Sequence, residues 1–218
     1  MKVIGKKIIA HLKVLIASFF RKNLLMPKQI RKLNNNNFTI ISSTCNGGVI
    51  YSDLKQRFNS PTINLFIYPD DFIKLCQNLK FYMCCDLEEC KDEDYSYPIG
   101  VLNNEIKLYF MHYKSFDEAK EKWDMRKERI NYNNIFIIMT DRDGCTQKHI
   151  AEFDKLPYEN KIIFTCKYYS NYKSMIFCNE FYNKDEVGIL SEYRNLRGER
   201  LYDRYFNYVE WLNGGKKV

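Results

Sequence analysis

The feature that most constrains the fold of this chain is an apolar run that ends in a charged turn. Residues 135–139 are Ile-Phe-Ile-Ile-Met, and after Thr140 the chain passes through Asp141, Arg142 and Asp143. An unbroken apolar strand is typical of a parallel sheet that helices cover on both faces. Ligands bind beyond the carboxyl ends of such strands, so the run predicts a binding site at this turn.

The other predicted elements alternate between strand and helix. Candidate strands cover residues 38–44, 62–68, 99–102, 105–111, 161–166 and 174–178. Candidate helices cover residues 49–58, 69–83, 116–130 and 147–156, and a closing helix has its apolar stripe at Leu201, Tyr205, Tyr208 and Leu212. Residues 86–97 hold six acids and predict a solvated loop. The alternation predicts an α/β fold, a three-layer sandwich with a mainly parallel sheet, as one domain over residues 38–213.

The N-terminal segment, residues 1–33, differs in charge from the rest of the chain. It holds nine of the 34 lysines and arginines and none of the 27 acids, so the body has no basic excess and nucleic-acid binding is not expected. Apolar residues recur at helical spacing, at Ile4, Ile8, Leu12, Leu15, Ile16 and Phe19. Residues 2–25 are therefore predicted to form a basic amphipathic helix before the α/β domain, and Pro27 and the asparagines at 34–37 to end it in a linker.

Two roles fit this amphipathic helix. It can lie on the anionic inner face of the cell membrane, where lysines and arginines favour the lipid surface. It can equally pack on the domain and leave its basic face in water. The longest uncharged run, residues 14–20, is too short to span a bilayer. In the membrane interpretation, a chain that starts at Asn34 stays folded and loses only its membrane binding.

The eight cysteines indicate a reducing compartment. Most lie inside apolar runs and no secretory signal precedes them, which favours free thiols in a cytoplasmic protein. The one cluster, Cys84, Cys85 and Cys90, does not have the paired spacing of a zinc site.

Short motifs are distributed over nearly the whole body. They are Ile-Ser-Ser-Thr-Cys-Asn-Gly-Gly at 41–48, Asn-Ser-Pro-Thr at 59–62, Tyr-Pro-Ile-Gly at 97–100, His-Tyr-Lys-Ser at 112–115, Glu-Ala-Lys-Glu-Lys-Trp at 118–123, Arg126, Arg-Ile-Asn at 129–131, Thr-Asp-Arg-Asp-Gly at 140–144 and Phe-Asp-Lys-Leu-Pro at 153–157. Through these motifs residues 38–212 resemble the DUF1919 family, bacterial domains associated with exopolysaccharide or capsular polysaccharide biosynthesis. The resemblance implies an α/β protein of surface-glycan assembly, and it supplies no catalytic residues.

The pair Asp141 and Asp143 is the first candidate for chemistry. Asp-x-Asp after a buried strand resembles the motif with which glycosyltransferases hold Mn²⁺ or Mg²⁺ against a nucleotide-sugar diphosphate, because carboxylate oxygens suit these ions. Aspartate and glycine are also ordinary turn residues, and Arg142 adds positive charge. The motif therefore fits either a metal site or a plain turn.

Cys45 is a second candidate, because it lies between a strand and a glycine turn. A helix start can lower a thiol pKa, glycine amides can form an oxyanion hole, and His112 after another strand is a candidate base. This arrangement would serve acyl transfer. A cysteine at a strand end is also common core filler, and a structural hydrogen bond is the alternative for His112.

The remaining candidates would bind substrate. Arg126 lies on the apolar face of its predicted helix and needs an acid or an anionic ligand, and Arg129 is nearby. The substrate-binding residues predicted are Asn46, Gly47, Gly48, Ser60, Tyr113, Trp123, Arg126 and Arg142.

Three functions are consistent with these residues. The first is a transferase that acts on a nucleotide-linked or lipid-linked sugar, with a divalent ion at Asp141 and Asp143 and His112 as base. The second is a Cys45-dependent acyltransferase that needs no metal. The third is a glycan-assembly protein without catalysis. The expected partners are a sugar nucleotide or lipid-linked glycan and, through residues 2–25, an anionic membrane surface. In either enzyme, Cys45, His112 and Asp141 are expected to lie along one edge of the sheet.

Overall fold

The computed structural model describes residues 2–215, with side chains from residue 7 onward. Lys2, Ile4 and Lys6 of the predicted amphipathic pattern therefore lie outside the described side chains. The described chain divides into two compact units. The terminal unit comprises residues 2–36, 49–56 and 189–215, and the sheet unit comprises residues 37–48 and 57–188.

The sheet unit contains seven strands in two sheets. The strands are β1 (Thr39–Ser42), β2 (Leu87–Cys90), β3 (Ile99–Leu102), β4 (Ile106–Tyr109), β5 (Ile135–Thr140), β6 (Lys161–Thr165) and β7 (Met175–Phe177). The larger sheet has the order β1-β5-β6-β7, and all of its neighbouring strands are parallel. The smaller sheet, β2-β3-β4, is antiparallel. The predicted α/β class with a mainly parallel sheet is confirmed.

Eight α-helices accompany these strands in the described chain. They are α1 (Lys2–Phe20), α2 (Met26–Lys32), α3 (Asn46–Asp53), α4 (Pro69–Gln77), α5 (Leu79–Cys84), α6 (Phe116–Lys127), α7 (Gln147–Asp154) and α8 (Tyr208–Leu212). The helix starts predicted at Pro69 and at the cap Ser115 are confirmed, and the Ser115 hydroxyl accepts from the Glu118 amide over 3.2 Å. Within residues 2–215, no helix combines the length and the apolar character needed to cross a bilayer.

One face of the parallel sheet supplies the main core of the sheet unit. Ile41, Ile137 and Ile163 are fully buried and belong to one apolar cluster that also contains Trp123 and Phe153. Because side chains alternate along a strand, Ile40, Ser42, Ile138 and Thr140 lie on the opposite face. The unbroken apolar sequence of β5 is explained by burial on both of these faces.

The predicted strand over residues 62–68 is wrong, because this segment forms only an isolated bridge between Phe66 and Tyr109. Asn64 has a φ of 60°, which interrupts extended backbone. The segment follows β1 through other contacts: the Ser42 amide donates to the Thr62 hydroxyl over 3.0 Å, and the Ile67 amide donates to the Ser43 carbonyl over 3.0 Å. Its apolar residues reflect burial and not strand pairing.

The solvated loop predicted over residues 86–97 is wrong in its first part, where β2 forms. Only Leu87 of this strand is buried, while Glu88 and Glu89 are exposed. The strand is at the edge of the antiparallel sheet, so one buried side chain is enough to place it. An edge strand of this kind carries almost no apolar signal.

In the terminal unit, the N-terminal helix does not stop at Pro27. A π-helical turn over Arg21–Leu25 joins α1 to α2, and Pro27 lies in the first turn of α2, where its missing N–H is harmless. The prediction of a single closing helix is also wrong. Its first half is a 3₁₀ turn at Tyr202–Arg204, and Asn207 caps a separate α8 by accepting from the Glu210 amide over 3.2 Å.

Candidate functional site at the carboxyl edge of the parallel sheet

The carboxyl ends of β1 and β5 meet at the same edge of the larger sheet. The two strands are parallel neighbours with Ser42 opposite Ile138, so Cys45 and Asp141 both follow this edge. His112 follows β4, which belongs to the smaller sheet, and its ring is exposed. The structure therefore brings two of the three predicted catalytic positions to one edge and leaves His112 on a separate sheet.

Unpaired hydroxyl groups are concentrated at this edge. Within the described residues, four buried hydroxyl oxygens here have no hydrogen-bond partner; they belong to Ser42, Ser43, Thr44 and Thr140. A buried polar group without a partner costs about 1–3 kcal/mol, so native proteins rarely leave several together. Ser42 and Thr140 lie on the same face of adjacent strands. Such hydroxyls are suited to donate to a ligand oxygen.

The N-terminus of α3 lies against the same face. A Cβ atom added to Gly47 would lie 2.9 Å from the Ser42 Cβ and 3.0 Å from the Ile40 Cγ2, so only glycine permits this approach. The first amides of a helix lack partners within the helix and favour an anion. Asn46, Gly47 and Gly48 form this first turn, and Asn46 is buried. The first turn of α3 thus lies beside Ser42, at the edge that carries the unpaired hydroxyls.

Asp141 has a structural role, because its carboxylate joins two segments through hydrogen bonds. One carboxylate oxygen accepts from the Cys166 amide over 2.6 Å, and the other accepts from the Val187 amide over 2.8 Å. The side chain is 6% exposed. Both of its oxygens are therefore committed to holding the residues after β6 and the segment near Val187.

Asp143 is differently placed, on a left-handed turn with a φ of 60°. Its amide donates to Glu186 over 2.9 Å, and its carboxylate is 3.9 Å from the Arg142 Nε. Burial raises the pKa of Asp143, Arg142 opposes that increase and Glu186 adds to it. A half-buried carboxylate with a raised pKa is a better proton acceptor than an ordinary one.

Two tyrosines, Tyr68 and Tyr97, lie near enough to Asp143 for its charge to affect their pKa. The hydrogen bond with Tyr95, 3.1 Å between hydroxyl oxygens, raises the pKa of Tyr68 to about 12, with a smaller contribution from Asp143. Burial, Tyr95 and Asp143 also raise the pKa of Tyr97. The rings of Tyr68 and Tyr109 meet edge to face at 5.0 Å. Partly exposed aromatic faces with hydroxyl groups suit the stacking of a sugar ring or a nucleobase.

A divalent ion held by Asp141 and Asp143 does not fit this arrangement well. The Asp141 oxygens already accept two backbone amides. Among residues 2–215, no three or more His, Cys, Asp or Glu side chains group in a way that could hold a metal ion. We therefore assign no step to a metal, and Asp143 is considered as a carboxylate in its own right.

Cys45 has the environment of a core thiol. Burial raises its pKa, and its sulfur lies 3.9 Å from the Leu65 carbonyl oxygen. A raised pKa reduces the thiolate fraction that acyl transfer requires. Among the described side chains, no histidine forms a hydrogen bond with this thiol.

Arg126 is buried without an acid. Its Nη1 donates to the Tyr113 hydroxyl over 2.6 Å, and the guanidinium lies 5.2 Å from the Phe58 ring centre. In the described part of the chain, no carboxylate is within the 4.0 Å of an ion pair with Arg126. Burial lowers the pKa of Arg129, and the charges of Arg57 and Arg126 lower it further. This arginine cluster, Arg57, Arg126 and Arg129, is a second place for an anionic group.

The arginine cluster is connected to the hydroxyl site through two residues. The Tyr113 hydroxyl donates to the Ile63 carbonyl over 2.9 Å, and an Ile63 methyl would lie 3.4 Å from a Cβ atom on Gly48. Phe58, however, precedes Asn59, whose carbonyl accepts from Thr39 at the start of β1. The cluster therefore flanks β1 nearer its amino end, and the hydroxyl site is at its carboxyl end.

The other predicted substrate-binding residues have structural contacts. Ser60 is fully buried and its hydroxyl lies 3.0 Å from that of Thr62. Trp123 is 1% exposed in the core, where its indole N–H has no partner among the described residues. Arg142 lies between Asp143 and Glu186, 3.9 Å and 4.0 Å from their carboxylates.

One feature of this region was missed at the sequence level, the contact between His149 and Asp70. His149 Nδ1 accepts from the Thr146 amide over 3.0 Å, so the proton is on Nε2, which donates to Asp70 over 2.9 Å. The contact joins the first turns of α7 and α4. A polar residue three positions after Thr146 was the available signal, since that is the spacing of a capping box.

The fold and this edge define a mixed α/β protein whose parallel sheet carries unpaired hydroxyls at the carboxyl ends of two of its strands. The chain belongs to the DUF1919 family, a domain of unknown function, which matches residues 16–213. The match begins within α1, earlier than the resemblance from residue 38 indicated. An uncharacterised protein of Haemophilus influenzae, strain Rd, is 45% identical over 183 residues, which is 84% of this chain and 87% of that protein.

Proposed function

We propose that this protein is a transferase of bacterial surface-polysaccharide assembly, which binds the phosphate end of a nucleotide-linked or lipid-linked sugar at the carboxyl edge of the parallel sheet. The observation that carries the proposal is the set of unpartnered hydroxyls of Ser42, Ser43, Thr44 and Thr140 beside the start of α3. Phosphate oxygens would accept from these hydroxyls and from the amides of the Asn46–Gly48 turn. In this proposal the protein acts on the cytoplasmic side of the membrane, where such donors are made.

The residues around the proposed phosphate site suggest how the sugar would be transferred. The bond between the sugar carbon and the phosphate oxygen breaks, and that oxygen keeps the electron pair. An acceptor hydroxyl forms the new bond and gives its proton to the Asp143 carboxylate. The hydroxyls and amides would stabilise the charge that develops on the leaving phosphate. Asp143 takes the role of base in place of His112, because it follows β5 at the same edge while His112 follows β4.

The tyrosines and arginines would contribute binding and not chemistry. Tyr68 and Tyr97 lie near Asp143 and offer ring faces for the sugar or the base. Arg126, which is buried without an acid, would pair with a carboxylate or second phosphate of a longer substrate. Acyl transfer from Cys45 is less well supported, because burial raises the pKa of its thiol.

Thermal unfolding with a panel of donors tests the proposal. The panel contains UDP-, GDP- and CMP-linked sugars, a polyprenyl phosphate sugar and acetyl-CoA. A ligand at about a hundred times its Kd stabilises by about 2.7 kcal/mol, so weak binding is measurable. We expect stabilisation by a phosphate-linked sugar in wild type and in Thr140→Ser, which keeps the hydroxyl, and a smaller effect in Thr140→Val.

Without ligand, Thr140→Val is expected to be at least as stable as wild type and by up to about 1–3 kcal/mol more stable, because the buried hydroxyl that it removes has no partner. Stabilisation by acetyl-CoA alone, lost in Cys45→Ser, would favour the acyltransferase. An equal response of Thr140→Val and Thr140→Ser to the sugar donor would remove the hydroxyl site from the proposal.

A further inference from the structure

The outward face of α1 leaves a stripe of large apolar side chains in solvent. Ile8, Leu12, Leu15 and Phe19 are 62%, 54%, 53% and 62% exposed. Their spacing places them on one side of the helix, since a helix advances by about 100° per residue. Single exposed apolar residues are ordinary, but a contiguous stripe of this kind marks a binding surface.

The helix packs on the terminal unit with its opposite side. Ala17 and Arg21 are each 1% exposed, and Ala17 comes two residues after Leu15, about 200° around the helix. Gly198 lies directly against this side, because an added Cβ atom would be 2.6 Å from the Ala17 carbonyl oxygen. Ala17 and Arg21 therefore face the unit, and Ile8, Leu12, Leu15 and Phe19 are turned away from it.

The charged residues near the stripe indicate what kind of partner surface would bind it. The exposed basic residues of the segment are Lys7, Lys13, Lys22, Lys28, Arg31 and Lys32. No acid precedes Asp53 in the sequence. Lys7 and Lys13 lie on opposite sides of the stripe, at about 100° and about 140° from Ile8, and Lys13 is the nearer of the two to the packed side at Ala17. A second copy of α1 would bring lysine against lysine, whereas anionic lipid headgroups complement them.

We infer that α1 docks on the surface of an anionic membrane, with Ile8, Leu12, Leu15 and Phe19 among the upper acyl chains and the lysines at the headgroups. Arg21 does not take part, because it is buried against Asp53 and Asp203. The inference stands apart from the proposed function. It would place the protein beside membrane-bound substrates whichever reaction it performs.

Co-sedimentation of the full-length protein with lipid vesicles tests this inference. We expect binding to vesicles of mixed phosphatidylcholine and phosphatidylglycerol, and little binding to pure phosphatidylcholine. Binding is expected to fall as NaCl rises from about 50 mM to about 500 mM, because surface charge is screened over a shorter distance. Equal binding to both vesicle types would overturn the role of the lysines.

Two double variants separate the apolar and charged contributions. Lys7→Gln/Lys13→Gln is expected to weaken binding about fivefold for each lysine. Leu12→Gln/Leu15→Gln is expected to weaken it at least about tenfold. The matched control is Ile189→Gln, which removes an apolar side chain of similar exposure, 52%, outside the helix. All these side chains are exposed, so circular dichroism and unfolding temperature should match wild type.

A second copy of the chain is the competing occupant. Two results together would show that the stripe is a self-association surface and that the membrane inference is wrong. The wild-type protein would bind neither vesicle type, and Leu12→Gln/Leu15→Gln would convert a dimer into a monomer in analytical ultracentrifugation. The inference also fails if the leucine variant binds anionic vesicles as well as Ile189→Gln does.

Discussion

Arg21 donates to the Asp53 carboxylate over 2.8 Å, although the two residues are 32 positions apart in the chain. The same guanidinium donates to Asp203 over 2.6 Å and to the Gly198 carbonyl over 2.8 Å. Asp53 in turn accepts from Arg200 over 2.9 Å. The terminal unit is therefore organised around a buried ion-pair network that includes the end of the N-terminal helix.

Replacement of Arg21 by methionine is expected to destabilise the protein by about 3–5 kcal/mol, because it leaves buried acids without their partner. Burial alone would lower the pKa of Arg21, but the hydrogen bond to Asp203 and the neighbouring charges raise it, so the side chain is charged at any working pH. Urea unfolding measures the loss. Lys22→Met, at the exposed neighbouring position, is the control, with an expected change within about 0.5 kcal/mol.

The same network changes the expectation for a shortened chain. The membrane interpretation of the sequence expects a chain that starts at Asn34 to stay folded. That chain lacks Arg21 and also the buried Met26 and Leu33. We now expect its terminal unit to unfold at a lower urea concentration than that of Arg21→Met. Equal stability of the shortened chain and wild type would contradict the structural role of the network.

Glycine is required at position 198 for two reasons. Its φ is +85°, and an added Cβ atom would lie 2.6 Å from both the Ala17 carbonyl oxygen and the Arg21 amide nitrogen. Gly144 has a similar φ of +83° and nothing within 4 Å of an added Cβ. Gly144→Ala is thus expected to cost about 1 kcal/mol from backbone strain alone. Gly198→Ala should cost clearly more, about 3 kcal/mol or above, because main-chain atoms must move. Equal losses in urea unfolding would show that the contact at Ala17 relaxes freely.

The sequence predicted the parallel sheet well, because its strands carry their signal in their own residues. The apolar runs of β5 and β6 are buried on both faces and need no partner to be recognised. The caps of α4 and α6 are equally local, with Pro69 and Ser115 in the expected positions. The strand predicted over residues 62–68 is wrong, since the apolar residues there are buried without strand pairing.

The parts that were not predicted depend on long-range partners. Arg21 appears in the sequence as one more cation of a basic helix, and only Asp53 and Asp203 explain its burial. Asp141 and Asp143 follow the same strand, and the sequence gives no means of knowing that the first is bonded to Cys166 and Val187. The hydroxyls of Ser42 and Thr140 did carry a signal. Both are polar residues at the ends of apolar strands, where burial would otherwise favour an apolar side chain.

The two aspartates after β5 are expected to lose different amounts of stability on substitution by asparagine. Asp141→Asn should destabilise the protein by about 2–4 kcal/mol, because one amide of Cys166 or Val187 would then face an NH₂ group instead of an oxygen. Asp143→Asn should change stability by less than about 0.5 kcal/mol, since asparagine tolerates the left-handed φ of 60°.

Transfer activity should show the reverse order, with the larger loss in Asp143→Asn. If Asp143 takes the proton of the acceptor hydroxyl, Asp143→Asn loses transfer activity. The sugar donor should still raise the unfolding temperature of this variant. Asp141→Asn keeps transfer at a temperature where it remains folded. A combination of urea unfolding, donor-induced thermal shift and product formation decides the matter. Full transfer activity in Asp143→Asn would exclude this carboxylate as the base.

The stability of the sheet unit is expected to fall in acid partly through Asp154. Burial tends to raise the pKa of Asp154, but the hydroxyl and amide of Ser174, at 2.6 Å and 2.7 Å, outweigh it, so the pKa lies below the ordinary 3.8. In the window between the two values the unfolded chain binds more protons than the folded one. The stabilisation is therefore present in full above the unfolded pKa and is lost as the pH falls through the folded pKa.

This sign gives a specific result for Asp154→Asn. The difference in unfolding free energy between wild type and this variant should be constant above about pH 5 and shrink as the pH is lowered from there. Urea unfolding at a series of pH values measures it. Ser170→Ala, on an exposed residue, serves as the control and should follow wild type at every pH. A difference that grows as the pH falls would mean that the Asp154 carboxyl is stabilised in its protonated form, contrary to the bonds that it accepts from Ser174.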